Sequence, residues 1–464
     1  MPASETPFPT QTRIPVEEHI DSRSGRRTRS MMLNMGPAHP AMHGVIRIIA
    51  ELDGEEVAGA DIEIGYLHRG FEKDCEVVGW GQAFPYTDRL NYVSPLINNV
   101  TYAMGVEKLL DLTITERCAY IRVIISEVSR ITDHLTCIAA IAMEMGAMTP
   151  FIYLMKGREY LYELVEELTG ARLTVSYVKV GGVKGDLPDG WLKRLESALV
   201  NVDKEIAEVD RLLTRNRIFI DRTRNVGVIS QQDAWSLGFT GPVLRSTGRA
   251  RDLRKDEPYL VYDRLDFDVP IGSVGDNYDR YLVRLEEMQQ SARIIRQCIR
   301  EIPGGAVRVD LSGRPLSASE VVDAAKMGMT TDLLLRAVQA DPTLDGTGKA
   351  HARQINADDK RAVLPPKEDT YGNIEGLMNH FMLIMEGEGL KPPPGEIYIA
   401  NEAANGELGF HMVSDGSGRA YRVRCRPPCF YLMQGLDRMI IGDMVADVVP
   451  TFGSINMIAG ELDR

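Results

Sequence analysis

Gly36-Pro37-Ala38-His39-Pro40-Ala41-Met42-His43-Gly44 places two imidazoles four positions apart. On a helix that spacing would share a face, but Pro40 removes a backbone donor and the flanking glycines favour turns. The segment therefore reads as a loop whose two rings need not point the same way. An imidazole exchanges a proton near neutrality, so either ring could serve acid–base chemistry. Metal binding is disfavoured because no carboxylate or cysteine neighbours the pair, and the plainest alternative is that both rings satisfy loop carbonyls. A second run, Pro85-Tyr86-Thr87-Asp88-Arg89-Leu90-Asn91-Tyr92, sets a polar-aromatic stretch before a helix. There Asp88 and Arg89 are placed to pair, and Tyr92 is placed to turn inward, where its hydroxyl needs a partner. A third candidate is Glu144, an acid in an almost wholly apolar stretch, which must be protonated, paired with a cation such as Arg158, or facing water.

Elements of two kinds must position these groups. Alternation in Val45-Ile46-Arg47-Ile48-Ile49 and again in Ile62-Glu63-Ile64, on either side of Asp53-Gly54, predicts a β-hairpin. The histidine loop thus precedes a strand. Beyond Tyr92 the period becomes helical over 99–110, 115–145 and 150–168. Ile121, Ile124, Ile125, Val128, Ile131, Leu135, Ile138, Ala142 and Met145 recur at steps of three and four, the stripe of a buried helix. Two further helices follow, one carrying Trp191, Leu195, Leu199, Val202, Ile206, Val209 and Leu213, the other Tyr281, Leu285, Met288, Ala292, Ile295 and Ile299. Between them 216–278 reads as irregular. Ser317 and Glu320 form a plausible capping box in the polar stretch that follows. Past Pro392-Pro393-Pro394 alternation returns at 396–400, 408–413 and 420–425, with a turn at Asp415-Gly416. The last stretch, 436–464, stays apolar, so the carboxy-terminus is expected to be packed.

The reading is mainly α with small β elements: a long-helix bundle, an N-terminal β-hairpin region and a C-terminal antiparallel sheet. Its expected divisions are a disordered extension at 1–30, a β/loop region at 31–95, the helical bundle at 96–303, a polar insertion at 304–366 and a closing α/β region at 367–464. With 53 Lys and Arg against 66 Asp and Glu the net charge is -13, and no basic stripe offers itself to nucleic acid. The start lacks the apolar run of a secretory signal. The most apolar window, 135–155, is broken by Glu144, Gly146 and Pro150 and reads as buried core rather than a membrane span. Of six cysteines only Cys425 and Cys429 are close, and all read as packed thiols.

These segments together resemble the family of quinone-site subunits, the D-type, of NADH-quinone oxidoreductase (complex I), a family related to the large subunit of nickel-iron hydrogenases. Carrying the resemblance are the histidine loop, Gly65-Tyr66-Leu67-His68-Arg69-Gly70, the run 85–94, and Met145-Gly146-Ala147-Met148-Thr149-Pro150-Phe151. Further on come Asp252-Leu253-Arg254-Lys255, Phe267-Asp268-Val269-Pro270-Ile271-Gly272-Ser273, Asp279-Arg280-Tyr281 and the terminal Gly460-Glu461-Leu462-Asp463-Arg464. The resemblance covers roughly 35–312 and 365–464. It implies a hydrogenase large-subunit-like fold that works only inside a complex. By this resemblance His43 and Tyr92 hold the quinone head group, His39 and Glu144 support the site, and Arg69 and Arg89 lie near the terminal iron–sulfur cluster of an adjoining subunit. No cofactor is then bound by this chain; NADH, FMN and Fe-S clusters belong to partners. Those partners are the cluster-bearing subunit, a small peripheral-arm subunit and the membrane subunit that admits the quinone. The implied location is the cytoplasmic face of the inner membrane, with proton translocation carried out in other chains.

A hydrogenase proper would need two Cys-x-x-Cys pairs to hold its metals, and the sequence has neither. A quinone site fed by ferredoxin or a deazaflavin, and a purely structural subunit, remain as alternatives. The chain departs from many relatives of the resembled family at Leu173-Thr174, where they have Met-His, at Asn99, where they often have glutamate, and at Glu144, where they have aspartate. Threonine does not titrate near neutrality. The midpoint potential of the partner's terminal cluster is therefore expected to vary little between pH 6 and 8. A redox titration in the assembled complex with a slope near one proton, about 59 mV per pH unit, would contradict this.

Overall fold

The structure, a computed structural model, describes residues 18–20, 27–39, 44–309, 367–372, 374–385 and 389–464. From Glu116 to Glu144 the chain has neither Gly nor Pro and forms one 29-residue helix, α4. Thr115 caps its start, its hydroxyl accepting from the Cys118 N–H at 3.2 Å. Gly146, at φ 83°, follows its end, where the chain turns into α5 (Met148–Thr169). Other elements cover α4 almost completely, burying its apolar stripe together with Arg122, Glu127, Arg130, Asp133 and His134. Around it lie α3 (Pro95–Leu109), α5 and α11 (Asn277–Glu301), with α6 (Trp191–Leu213) against α5. Two short helices, α1 (Phe71–Val77) and α2 (Phe84–Thr87), precede α3.

Three antiparallel sheets flank this bundle among the described residues. The first pairs β1 (Glu18–Ile20), β2 (Arg27–Met35), β3 (Arg47–Asp53) and β4 (Glu56–Glu63) in chain order, with Met35 opposite Ile48 and Ile48 opposite Ile62. Strand alternation buries Ile48, Ala50 and Leu52 on one face. A two-stranded ribbon joins β5 (Val178–Lys179) to β6 (Gly182–Val183). The third sheet, β7 (Gly395–Ala403), β8 (Gly406–Ser414) and β9 (Arg422–Arg426), lies against α3. Four C-terminal helices complete the chain: α14 (Pro428–Met433), α15 (Leu436–Ile440), α16 (Val445–Ile455) and α17 (Ala459–Asp463), after α12 (Lys367–Gly372) and α13 (Ile374–Ile384). These helices share a core with the first sheet, to which Ile48, Leu52, Val448, Phe452 and Leu462 all belong. The first sheet and the C-terminal helices are thereby packed on each other.

The expected hairpin, five long helices and three C-terminal strands are all present, with β2 added to the hairpin. The extension at 1–30 is not disordered throughout, because β1 and the first residues of β2 find backbone partners, Ser30 opposite Asp53. The 216–278 stretch is less irregular than its glycines suggest: it holds α7 (Arg217–Thr223), α8 (Gln231–Ser236), α9 (Gly241–Ser246) and α10 (Leu253–Asp256). Ser317 and Glu320 lie outside the described residues. The carboxy-terminus is packed as expected, with Leu462 fully buried.

A network of charges crosses the bundle interior. Arg254 bridges Glu127 at 3.1 Å and Asp252 at 2.7 Å, and Arg130 reaches Glu127 at 3.2 Å. Arg245 joins Glu287 at 2.5 Å and Glu402 at 2.7 Å, and His134 Nε2 meets Glu287 at 2.7 Å. Burial alone would drive these carboxyls neutral. Arg254 and Arg245 nevertheless hold Asp252 down to about 2, and Arg245 and His134 hold Glu287 well below the usual carboxylate range. Such a network pins α4, α9, α10, α11 and β7 in one arrangement, since a displaced member leaves an uncompensated charge in a dry core. Arg245→Met, which strands Glu287 and Glu402, is expected to cost about 3–5 kcal/mol and to deplete the chain from the assembled complex. Arg293→Met at a half-exposed pair should cost under about 1 kcal/mol and leave assembly intact.

Candidate functional site

Three segments that the sequence singles out meet at α17. The histidine loop leaves β2 at Gly36, whose φ of 103° and near contact with the Ile46 carbonyl, 1.9 Å from an added Cβ, admit no side chain. It returns at Gly44, where a Cβ would fall 2.9 Å from the Ala459 Cβ. His39 is half-buried on the first arm. His43, with Pro40, Ala41 and Met42, lies outside the described residues.

The second segment hangs from the last helix. The Asp463 carboxylate accepts from the backbone N–H of Gly65 at 2.9 Å and of Leu67 at 2.8 Å. His68 Nδ1 donates to the Asp463 carbonyl at 2.8 Å, and the Arg69 N–H donates to the Arg464 carbonyl at 3.0 Å. From there the Arg69 guanidinium donates to the carbonyls of Gly460 at 2.9 Å and Arg89 at 2.8 Å. Gly460 is required at this crossing, because a Cβ would lie 2.6 Å from the Arg89 carbonyl.

The third segment is a turn built by asparagines. Asn91 accepts from the N–H groups of Val93 and Ser94 and donates to Asp133 on α4 at 2.8 Å, while Asn98 donates to the carbonyls of Thr87 and Asn91. Tyr92 rides on this turn, three residues before α3. It does not turn inward as expected: it is 40% exposed, because Asn91 takes the inward position. Burial first, then Cys429 and Asp133, push its phenol up, and Arg69 opposes them. The hydroxyl therefore stays a protonated donor at neutral pH.

The expected pairs around this turn are made differently. Asp88 accepts from Asn99 at 2.7 Å and from the Ser176 N–H at 2.9 Å, whereas Arg89 donates to the Pro85 carbonyl at 2.5 Å. Glu72 pairs with Arg424 and Arg464. Neither Arg69 nor Arg89 belongs to an ion pair among the described residues, and the two guanidiniums repel, with burial and Arg89 drawing Arg69 down. The described ion pairs also omit Glu144–Arg158; the Arg158 guanidinium lies over the Tyr162 ring at 5.0 Å. Glu144 Oε2 lies where a Cβ on Gly453 would come within 2.5 Å. It is eleven residues beyond Asp133 on α4, about 16 Å along the axis, so Tyr92 and Glu144 stand at separate stations.

The terminal Gly460-Glu461-Leu462-Asp463-Arg464 is legible in the sequence as a motif, but without a task. Asn91, Asp133 and Cys429 are not legible there as parts of the site. Glu461 and Asp463, two acids in the last five residues of a largely apolar tail, were the available signal.

The model of the family described as respiratory-chain NADH dehydrogenase, 49 Kd subunit, matches residues 144–335 and 346–464. The chain belongs to that 49-kDa subunit family. It is 49% identical over 434 residues to the D-type subunit of NADH-quinone oxidoreductase from Pelobacter propionicus, covering 94% of this chain and 95% of the relative. To a D-type subunit of the same oxidoreductase from an Anaeromyxobacter species it is 47% identical over 454 residues, covering 98% and 93%. A protein of Bdellovibrio bacteriovorus, named as the combined C/D-type subunit, is 47% identical over 432 residues, or 93% of this chain and 68% of that longer one. The 49-kDa family match takes in most of the 304–366 stretch that had read as an insertion outside the resemblance. Among the described helices of this family member none is long and apolar enough to cross a membrane.

Removing the Asp463 carboxylate strands two backbone donors, a loss of about 1–3 kcal/mol. Asp463→Ala is expected to accelerate amide exchange across 65–69 in the assembled complex. Unchanged exchange there would show that the anchor is dispensable.

Proposed function

We propose that this chain builds the quinone-reducing site of a respiratory NADH-quinone oxidoreductase and holds no redox centre itself. The observation that carries the reading is Tyr92, a half-exposed, protonated phenol held where the segments bearing His39, Arg69 and Arg89 meet around α17. Electrons come from NADH through FMN and iron–sulfur centres in other subunits. The quinone takes two electrons and two protons, and each oxygen that gains charge is stabilised by a donor at hydrogen-bond distance. Tyr92 supplies one such donor and His43 the other; His39 and Glu144 support them.

Arg69 and Arg89 present positive charge outside any described ion pair, with Asp463 offsetting part of it at Arg69, which favours a reduced, more negative cluster in the adjoining subunit. The partners are that cluster-bearing subunit, the small peripheral-arm subunit and the membrane subunit through which quinone enters. The relative whose name combines the C and D types supports the second of these. The complex places this chain on the cytoplasmic face of the inner membrane, and proton translocation proceeds in other chains. The relatives' names favour NADH over a ferredoxin or deazaflavin donor.

Tyr92→Phe and His43→Ala are each expected to lower quinone reduction by the assembled complex ten-fold or more, within the range of a lost acid–base group. NADH oxidation by an artificial acceptor should persist. Unchanged quinone reduction in both variants would favour a scaffolding role instead.

A further inference from the structure

One buried acid of α4 stands apart from the charge network beside it. Asp133 is 1% exposed and belongs to no ion pair among the described residues, whereas Glu127, Glu287, Asp252 and Glu402 are each held by arginine. Two side-chain amides hold it instead. Its Oδ2 accepts from Asn91 Nδ2 at 2.8 Å, and its Oδ1 accepts from Asn456 Nδ2 at 2.5 Å. Burying a carboxylate without a cation is costly, so packing alone favours a neutral side chain at this position.

Both amides are fixed in direction. Asn91 Oδ1 accepts from the N–H groups of Val93 at 3.1 Å and Ser94 at 3.3 Å, so its nitrogen is left to face α4. Asn456 ends α16 at φ 59°, a left-handed conformation that asparagine tolerates. Its nitrogen also donates to Asn405 Oδ1 at 2.7 Å, and its carbonyl accepts from Asn405 Nδ2 at 3.1 Å. Two N–H donors thus converge on residue 133, and an amide there would offer one oxygen where two acceptors are needed. The arms lead to the two halves of the candidate site. Asn91 builds the turn that carries Tyr92. Asn456 opens the short link into α17, where Gly44 of the histidine loop comes to rest: an added Cβ on Gly44 would lie 3.2 Å from Met457 Cε and 2.9 Å from Ala459 Cβ.

We propose that Asp133 is a positioning residue for quinone reduction, fixing the separation between Tyr92 and the histidine loop by tying Asn91 to Asn456. The role rests on the reading of Tyr92 and His43 as the donors to quinone. Asp133 touches no quinone atom and exchanges no proton in it. A donor must meet the quinone oxygen at about 2.6–3.2 Å as charge develops there, and a misplacement of about 1 Å can cost about a hundred-fold in rate. One buried carboxylate with an amide on each oxygen sets the two donors against a common reference, the rigid helix α4.

The bonding pattern can be reversed, which supplies the test. Asp133→Asn alone sets an amide nitrogen against one of the two donors, and Asn91→Asp alone sets carboxylate against carboxylate. Combined, Asn91→Asp with Asp133→Asn keeps every bond: the side chain at 91 still accepts from the Val93 and Ser94 N–H groups, the amide at 133 donates to it, and the amide oxygen at 133 accepts from Asn456. Measured per assembled complex, each single variant is expected to lower kcat for quinone about ten-fold with KM changed less than about two-fold, and the combined variant to return to within about three-fold of the parent. Asn456→Gly, which suits a φ of 59° and removes only the second arm, should lower kcat in the same way. A merely structural role would deplete the assembled complex without moving its kcat. Parent-like kcat in the single variants or in Asn456→Gly overturns the proposal, as does a combined variant no better than either single one; where a single variant does not assemble, Asn456→Gly decides. If Tyr92→Phe lowers quinone reduction while Asp133→Asn does not, only the positioning role fails; if Tyr92→Phe and His43→Ala are both silent, the quinone reading fails with it.

Discussion

The Asp463 carboxylate, two residues' backbone donors and one arginine side chain make the contact on which the rest of the site depends. Residues 65 and 463 are at opposite ends of the chain, yet two hydrogen bonds under 3 Å join them in a spot where the carboxylate is 6% exposed. Charge-assisted bonds of this kind are short and geometrically demanding. From the same helix the Gly460 carbonyl accepts from Arg69, which also holds the Arg89 carbonyl, and Gly44 rests on Ala459. Three loops are aligned because each is fastened to a five-residue helix. An interface toward partner subunits can then be built from loops without being soft.

That helix is fixed in its turn by the interior. The first sheet and the C-terminal helices form one apolar core, and the bundle beneath is held by the buried arginines and acids around α4. Asp133 lies at the join: its carboxylate receives Asn91 from the Tyr92 turn and Asn456 from the end of α16. On the next residue, His134 bonds Glu287 in the charge network. Movement of α4 would therefore be felt at the phenol, since interiors packed at this density do not deform continuously. Asp133, which anchors the Tyr92 turn, and Glu144 are both on α4, eleven residues apart.

Much of this architecture was legible in the residue pattern. Steps of three and four foretold α4, α5, α6 and α11, and period-two alternation foretold β3, β4 and the last sheet, because burial of one face is dictated locally. The short helices between 216 and 278 were not legible, since they are stabilised by capping residues such as Asn216, Ser230 and Asp252 and by neighbours rather than by an apolar period. Strand β2 was hidden for a similar reason: its polar, basic start gives no alternation and becomes a strand only because β3 offers a free edge.

For the candidate site the division is sharper. By itself the sequence determined which chemical groups this protein owns, a phenol, two imidazoles, two arginines and an acid in an apolar run, and it placed the chain in its family through many short motifs in order. It could not say that Asn91, not Tyr92, faces inward, or that Asp88 would turn to Asn99 and Ser176 while Arg89 turned to a carbonyl. Nor could it show that the terminal acids touch the site at all. Several of those outcomes hinge on contacts between residues far apart in the chain, 88 positions for Asp88 and Ser176 and 398 for Gly65 and Asp463, and hydrogen-bond geometry at such a distance is set by the packing of whole elements. Composition and period carry information about neighbours in the chain, whereas the choice of partner for a buried polar group is made only when the chain has closed on itself.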